Sequence, residues 1–83
     1  MNFKAKVTVM PQKEILDPQG KAVQHALHQI GLGTVNDVRI GKSIEFNIEA
    51  PTESEALEKI NLASKDLLAN MIMEDYKIDL KII

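Results

Sequence analysis

The sequence predicts an α+β domain of the ferredoxin-like class, in the order β-α-β-β-α-β. The predicted sheet is four-stranded and antiparallel, with two helices on one face. Apolar and polar residues alternate with period two in several segments, apolar residues recur at helical spacing in two others, and turn residues separate them. Right-handed crossovers then complete this topology. With 83 residues, the chain is predicted to form one domain, residues 1–83.

The first strand and the first helix have clear sequence boundaries. Residues 3–9 alternate between apolar and polar side chains, and Pro11 ends the predicted strand. Asp17 precedes Pro18, which is typical of an N-cap followed by the first helical residue. The helix is predicted to end near Ile30, where a glycine follows. Its residues at helical spacing form one apolar stripe, which comprises Val23, Ala26, Leu27 and Ile30.

The middle of the chain predicts a β-hairpin. Its strands would cover residues 35–40 and 44–48, joined by a tight turn at Gly41-Lys42. The pair Asn36-Asp37 is expected to bulge the first of these strands.

The second helix and the last strand follow. Thr52 and Glu55 form a capping box, and this helix is predicted to end near Asn70. Residues 76–82 alternate again and predict the last strand. The buried stripe of the second helix is predicted to contain Ala56, Ile60, Ala63 and Leu67, widened by Leu57 and Leu68.

Composition excludes several functional classes. Ten basic and twelve acidic side chains give a net charge of −2, which argues against a nucleic-acid binder with a basic surface. The aromatic residues fall on the core-facing side of their strands, whereas RNA-recognition domains expose theirs. The absence of cysteine excludes disulfides and thiolate zinc sites and favours a cytoplasmic location. The sequence contains no run of about 18 apolar residues, so no membrane span is predicted.

No catalytic, cofactor or metal site is predicted. His25 and His28 are neighbours on one side of the first helix, but a zinc site needs a third ligand. None of the serines lies in a Gly-x-Ser-x-Gly turn. Asp17 is interpreted as a helix cap rather than as a general base. A chain this short without disulfides often gains stability by association, so a homo-oligomer or a subunit of a larger assembly is expected.

Three sequence blocks carry a family resemblance. They are Leu16-Asp17-Pro18-Gln19-Gly20 with its continuation to Leu27, Val38-Arg39-Ile40-Gly41-Lys42, and Leu67-Leu68-Ala69-Asn70 with the following Glu74-Asp75-Tyr76. With these blocks in this order, nearly the whole chain resembles the small subunit of phosphoribosylformylglycinamidine synthase, the PurS family.

The resemblance implies a role in purine biosynthesis. A glutaminase subunit releases ammonia from glutamine, and a large synthase subunit uses ATP and Mg²⁺ to convert formylglycinamide ribonucleotide to the amidine. The small subunit, as a homodimer or a pair of dimers, joins the other two subunits. By this resemblance the chain is part of a C–N ligase but binds no cofactor and performs no chemistry itself.

The resemblance also assigns candidate contacts with the partner proteins. Arg39 is the strongest of them, because arginine is favoured in recognition surfaces. The full set is Leu16, Asp17, Pro18, Gln19, Gly20, Gln24, His25, His28, Arg39, Gly41, Lys42, Asn70, Glu74, Asp75 and Tyr76.

Two alternatives remain open from the residues. A small-molecule-binding regulatory domain of the amino-acid-binding type has the same element order, and residues 10–20 would then hold the ligand. The open face of the sheet, which carries most of the strand lysines and carboxylates, is either a solvated surface or a polar protein interface.

Overall fold

The computed structural model describes residues 1–13 and 16–83. Within them the chain forms three strands, two α-helices and one π-helical turn. The strands are β1 (Asn2–Pro11), β2 (Lys42–Glu49) and β3 (Glu74–Ile82), the helices are α1 (Pro18–Gln29) and α2 (Glu53–Ala63), and the π-turn is Ser64–Leu68.

The sheet is antiparallel, in the order β2-β1-β3, and β1 is its centre. Val7 lies between Ile44 of β2 and Ile78 of β3. Every second side chain of β1, from Phe3 to Val9, is fully buried, while the neighbouring apolar side chains of β2 and β3 are half-buried. The predicted α+β class and the antiparallel sheet are therefore confirmed.

The predicted fourth strand is wrong, because residues 35–40 form no strand. The amide N–H of Val38 donates to the side-chain oxygen of Gln24 at 3.3 Å, and that of Ile40 donates to Asp17 Oδ2 at 2.9 Å. Side chains of the first helical region thus take the donors that a neighbouring strand would need. Asp37, with φ of 52°, also interrupts the extended backbone.

The boundaries of α1 are as predicted, but its apolar stripe is not buried. Asp17 caps the helix, and Gly31 follows it with φ of 99°. Val23 is 39% exposed and Ile30 is 75% exposed. The helix has no extensive contact with any of the three described strands. The stripe of α1 is therefore largely exposed within its own chain.

The second helix begins as predicted, and its buried stripe changes phase near its end. The Oγ1 atom of Thr52 accepts the Glu55 N–H at 3.2 Å. Ala56 and Ile60 are buried, but Leu67 is 81% exposed, contrary to the prediction. The π-turn inserts an extra residue into the helical repeat after the buried Ser64, so Leu68 instead of Leu67 faces the core.

The remaining sheet predictions concern its two faces. Phe3 is fully buried, and Phe46 and Tyr76 pack against the core, which confirms the inward placement of the aromatic residues. On the other face, Lys6 lies opposite both Glu45 and Asp79, a row of complementary charges. In the described part of the chain, no helix combines the length and apolarity needed to cross a membrane.

Candidate functional site

The three sequence blocks meet at one end of the sheet. We call this region the junction; it comprises residues 11–13, 16–20, 38–41 and 70–74. An open groove of about 300 Å³ lies at its centre. The groove is lined by Pro11, Leu16, Asp17, Pro18, Gln19, Ile40, Asn70, Met73 and Glu74. Residues far apart in sequence therefore build one surface.

Asp17 links two parts of the junction. Its Oδ1 atom accepts the Gly20 N–H at 3.0 Å, and its Oδ2 atom accepts the Ile40 N–H at 2.9 Å. The first bond caps α1, since the first amides of a helix have no partner within the helix. The second bond holds the segment before β2 against the start of the helix.

These amides also affect the acidity of Asp17. The N–H of Ile40 contributes most, followed by that of Gly20, and together they lower the pKa of the Asp17 carboxyl below its ordinary value of 3.8. Partial burial opposes this shift, while the Gln19 N–H and the charge of Arg39 add to it. The carboxylate therefore remains ionised at neutral pH and acts as an acceptor at this position.

Arg39 fastens the junction to the end of β1. One guanidinium nitrogen donates to the carbonyl of Gln12 at 2.9 Å, and the other terminal nitrogen donates to the carbonyl of Lys13 at 2.6 Å. Its Nε atom lies 3.4 Å from a carboxylate oxygen of Asp37. The side chain is 23% exposed. Arg39 therefore makes extensive contacts within its own chain.

Gln12 is a junction residue that the sequence analysis missed. Its N–H donates to the Met73 carbonyl at 2.8 Å, and its Nε2 atom lies 3.4 Å from the Met71 carbonyl. With its own carbonyl on Arg39, Gln12 joins the second block to the turn within the third. The only signal in the sequence was its position directly after Pro11, where the first strand ends.

The 70–74 turn is held by its own side chains. A carboxylate oxygen of Glu74 accepts the Asn70 N–H at 2.8 Å, and Asn70 Oδ1 accepts the Ile72 N–H at 3.1 Å. The main-chain amides of Met73 and Glu74 both donate to the Asn70 carbonyl. Asn70 and Glu74 thus fix the shape of the turn that carries Met71, Ile72 and Met73.

Two glycines allow the backbones at the junction to approach closely. A Cβ atom on Gly20 would collide with the Val38 carbonyl and lie 2.9 Å from Asp17 Oδ2. A Cβ atom on Gly41 would collide with the Met10 sulfur and lie 2.5 Å from the Val9 carbonyl. Both blocks therefore need glycine for packing rather than for an unusual φ.

Apolar side chains surround the groove and are exposed. Ile72 is 83% exposed and Leu16 is 68% exposed, and three methionines, Met10, Met71 and Met73, are between 37% and 46% exposed. Methionine adapts its shape to different contacts and is frequent at protein-binding surfaces. A backbone fixed by hydrogen bonds and surrounded by exposed, adaptable apolar side chains is suited to binding another protein.

Comparison with known proteins finds one family whose match includes every segment of the junction. Residues 4–82 match the family model PurS, described as phosphoribosylformylglycinamidine (FGAM) synthase. The chain belongs to the PurS family. It is 43% identical over 79 residues to the PurS subunit of phosphoribosylformylglycinamidine synthase from Bacillus subtilis, covering 95% of this chain and 93% of that protein.

Solved structures agree with this assignment. The chain is similar to PurS of Thermus thermophilus, with a TM-score of 0.85, 39% identity and coverage of 100% of this chain and 99% of the other. It is also similar to a chain in the structure of PurLQS from Thermotoga maritima, with a TM-score of 0.89 and 28% identity over 98% of this chain and 99% of that chain.

Other candidate residues of this PurS-family chain lie away from the groove. Gln24 accepts the Val38 N–H, and the His28 ring lies 2.6 Å from the Val35 carbonyl, so both face their own chain. His25 pairs with Gln29 on the exposed side of α1.

Three further candidates lie in the strands. Lys42 begins β2, Asp75 lies in β3 opposite Met10, and the Tyr76 hydroxyl donates to Asn61. Their contact with partner proteins stays a prediction.

Charged side chains at the junction hold backbone segments in place. Among residues 1–13 and 16–83, no group of three or more His, Cys, Asp or Glu side chains comes together to hold a metal ion. Three charged side chains of the junction, Asp17, Arg39 and Glu74, bond to backbone atoms. The arrangement therefore fixes a surface of defined shape.

Proposed function

We propose that the chain is the non-catalytic bridging subunit of a phosphoribosylformylglycinamidine synthase, acting in the cytoplasm in purine biosynthesis. It would join the glutaminase to the large ATP-dependent synthase as a homodimer or a pair of dimers. The observation that carries the proposal is the similarity, over 98% of the chain, to a chain of the PurLQS structure. ATP, Mg²⁺ and glutamine would be used by the partner subunits.

The junction supports a binding role. Its polar groups are engaged in holding loops, while its apolar side chains, such as Leu16 and Ile72, are exposed. Exposed apolar groups on a rigid support are typical of surfaces that bind another protein. We infer that this surface binds one of the two partner subunits.

A physical reason exists for such a bridge. Ammonia is nucleophilic only while it is unprotonated, and in neutral water most of it takes up a proton. A subunit that holds two active sites together excludes bulk water from the path between them. The bridge should therefore raise the rate of amidine formation when glutamine is the nitrogen source. It should not raise that rate when ammonium salt is supplied at high concentration.

Reconstitution tests this proposal. The glutaminase and the synthase are assayed for amidine formation from glutamine and from ammonium chloride, with and without this chain. The glutamine-dependent rate should require the chain, while the ammonium-dependent rate should not. An equal glutamine-dependent rate without the chain would refute the proposal.

A matched pair of variants tests the junction within the same assay. Ile72→Asp places a charge at the junction, and Leu67→Asp places one on the π-turn at almost equal exposure, 83% against 81%. Ile72→Asp should raise the concentration of chain needed for half-maximal glutamine-dependent activity at least about tenfold, because it puts a charge into an apolar contact. Equal effects of the two variants would exclude a specific role for the junction.

A second function is supported by the groove itself. A ligand site after the first strand is the place expected for a small-molecule-binding regulatory domain, and Asp17 and Glu74 would give it polar contacts. Calorimetry with amino acids and purine nucleotides separates the two functions. Micromolar binding to the isolated chain that is lost in Glu74→Gln would favour the regulatory function.

A further inference from the structure

The face of the sheet turned away from the core carries a shallow cleft between charged side chains. We call it the charged cleft; its volume is about 210 Å³, and it is lined by Lys4, Lys6, Glu45, Asp79 and Lys81. All five side chains are exposed. Three of them are lysines and two are carboxylates, so the cleft is basic in a chain whose net charge is −2.

The register of the sheet leaves the lysines of the cleft incompletely matched. The complementary row at Lys6 is followed by a row of like charge, because Lys4 lies between Asn47 of β2 and Lys81 of β3. Residues directly opposite each other in a sheet are about 5 Å apart, and like charges at this distance are destabilising. The arrangement therefore differs from the fully complementary ladder that a purely structural role favours.

The charges of the cleft also form no close pairs with one another. Among residues 1–13 and 16–83, none of the five side chains makes an ion pair within 4 Å. Arg39 is different, because its guanidinium donates to the carbonyls of Gln12 and Lys13 and is only 23% exposed. The lysines of the cleft are thus free to bind a negatively charged group from outside the chain.

We propose that the charged cleft binds an acidic segment of a partner protein, with a carboxylate of that segment lying between Lys4, Lys6 and Lys81. The inference rests on the proposed function, because a chain that joins two larger subunits needs two surfaces. The apolar junction binds one subunit, and the cleft binds the other. Lys4 is seven residues from Pro11 along β1, about 23 Å, so the two contacts do not overlap.

The same features disfavour other occupants of the cleft. A two-fold axis through it would bring the lysines of one copy against those of a second copy. Nucleic-acid binding by an open sheet face uses exposed aromatic side chains, but Phe3, Phe46 and Tyr76 lie on the core side. A small polar contact of this kind is typical of transient interfaces, which are steered by charge and weakened by salt.

Reversal of one charge separates binding from stability. Lys4→Glu places a carboxylate opposite Lys81, so this variant should melt at the same temperature as the native chain or higher. It should nevertheless bind one of the two subunits, the glutaminase or the synthase, at least about tenfold more weakly. Lys59→Glu changes the net charge equally at an exposed position of α2, and as the matched control it should bind like the native chain.

Calorimetry measures this binding with each purified subunit and with both together, at about 0.1 M and about 0.5 M salt. The loss caused by Lys4→Glu should shrink at the higher salt concentration, because ions screen exposed charges. Ile72→Asp, at the junction, should weaken binding of the other subunit instead. The two surfaces are thereby measured separately.

Several results would overturn the inference. They are equal binding of Lys4→Glu and the native chain, an equal loss in Lys59→Glu, a loss independent of salt, or a loss toward the same subunit in Lys4→Glu and Ile72→Asp. A smaller assembly of Lys4→Glu alone in sedimentation would show that a second copy occupies the cleft. Binding of a short DNA duplex that Lys4→Glu abolishes would show a nucleic-acid surface.

Failure of this inference is distinguishable from failure of the proposed function. A chain that is required for glutamine-dependent turnover, and whose Lys4→Glu variant binds and supports turnover like the native chain, would refute the inference alone. A chain that binds a subunit through the cleft, but is not required for turnover, would refute the proposed function alone.

Discussion

The Oδ2 atom of Asp17 lies 2.9 Å from the amide nitrogen of Ile40, a residue 23 positions later in the chain. The other oxygen of the same carboxylate caps α1 through Gly20. A single side chain therefore starts the helix and also removes a donor that a fourth strand would need. This double role connects the helix start at Asp17 to the absence of a strand in residues 35–40.

Replacement of Asp17 should release one or both amides. Asp17→Asn keeps one acceptor oxygen, so hydrogen exchange at either Gly20 or Ile40 should become at least about fivefold faster. Asp17→Ala removes both acceptors, so both amides should exchange faster and the melting temperature should fall by several degrees. Exchange is measured by NMR.

Thr52→Ala is the control for this experiment, because Thr52 caps α2 through the Glu55 amide only. It should leave Gly20 and Ile40 unchanged. Unaltered exchange at Ile40 in Asp17→Ala would mean that the bond across the junction is not formed in solution.

Acid should weaken the junction through the same carboxylate. The pKa of Asp17 is lower in the folded chain than its ordinary value of 3.8, so folding favours the ionised form. The resulting stabilisation is complete above about pH 5 and is lost as the pH falls through the folded-state pKa. The difference in free energy of unfolding between the native chain and Asp17→Asn should therefore shrink below pH 3.8. Asp75→Asn, an exposed carboxylate of β3, serves as the reference; an Asp17 difference independent of pH would contradict the prediction.

Gly20→Ala should destabilise the chain far more than Gly33→Ala does. The new methyl group collides with the Val38 backbone, which cannot move without breaking the bond to Gln24. Overpacking of this kind costs about 1–3 kcal/mol. A Cβ on Gly33 meets no atom within 4 Å, so that variant should change stability by less than about 0.5 kcal/mol. Denaturant unfolding compares the two, and equal losses would show that the close approach at Gly20 is relaxed in solution.

Arg39→Lys should loosen the end of β1 although it keeps the charge. The planar guanidinium donates to two carbonyls at once, on Gln12 and Lys13, and an ammonium group does not reproduce this geometry. Limited proteolysis next to Lys13 should become several-fold faster. Lys21→Arg on the exposed side of α1 is the control. Unchanged proteolysis in Arg39→Lys would show that charge alone suffices.

Local signals in the sequence predicted local structure well. Asp17-Pro18 and Thr52 marked the starts of both helices, because capping depends on residues three positions apart. Alternation identified β1 and the core side of its neighbours. The three blocks predicted the family, and the fold brings them together at one end of the sheet.

Contacts between distant segments were not predicted from the sequence alone. Val38 and Ile40 alternate like a strand, and nothing local shows that Gln24 and Asp17 take their amide hydrogens. The stripe of α1 was identified correctly, but its periodicity does not say which surface covers it. Gln12 lacks a sequence signal because its contacts are with two distant segments, at Arg39 and at residues 71–73, that meet it only in the folded chain.

The π-turn after α2 leads to the last prediction. An α-helix continued through Ser64–Leu68 would bury Leu67, whereas the π-turn leaves it 81% exposed and packs Leu68 against the core. Leu68→Ala should therefore cost about 2 kcal/mol of unfolding free energy, and Leu67→Ala less than about 0.5 kcal/mol. The two variants remove the same atoms from adjacent positions, so denaturant unfolding compares their environments directly. If Leu67→Ala were the more costly variant, the helix would continue without the π-turn in solution.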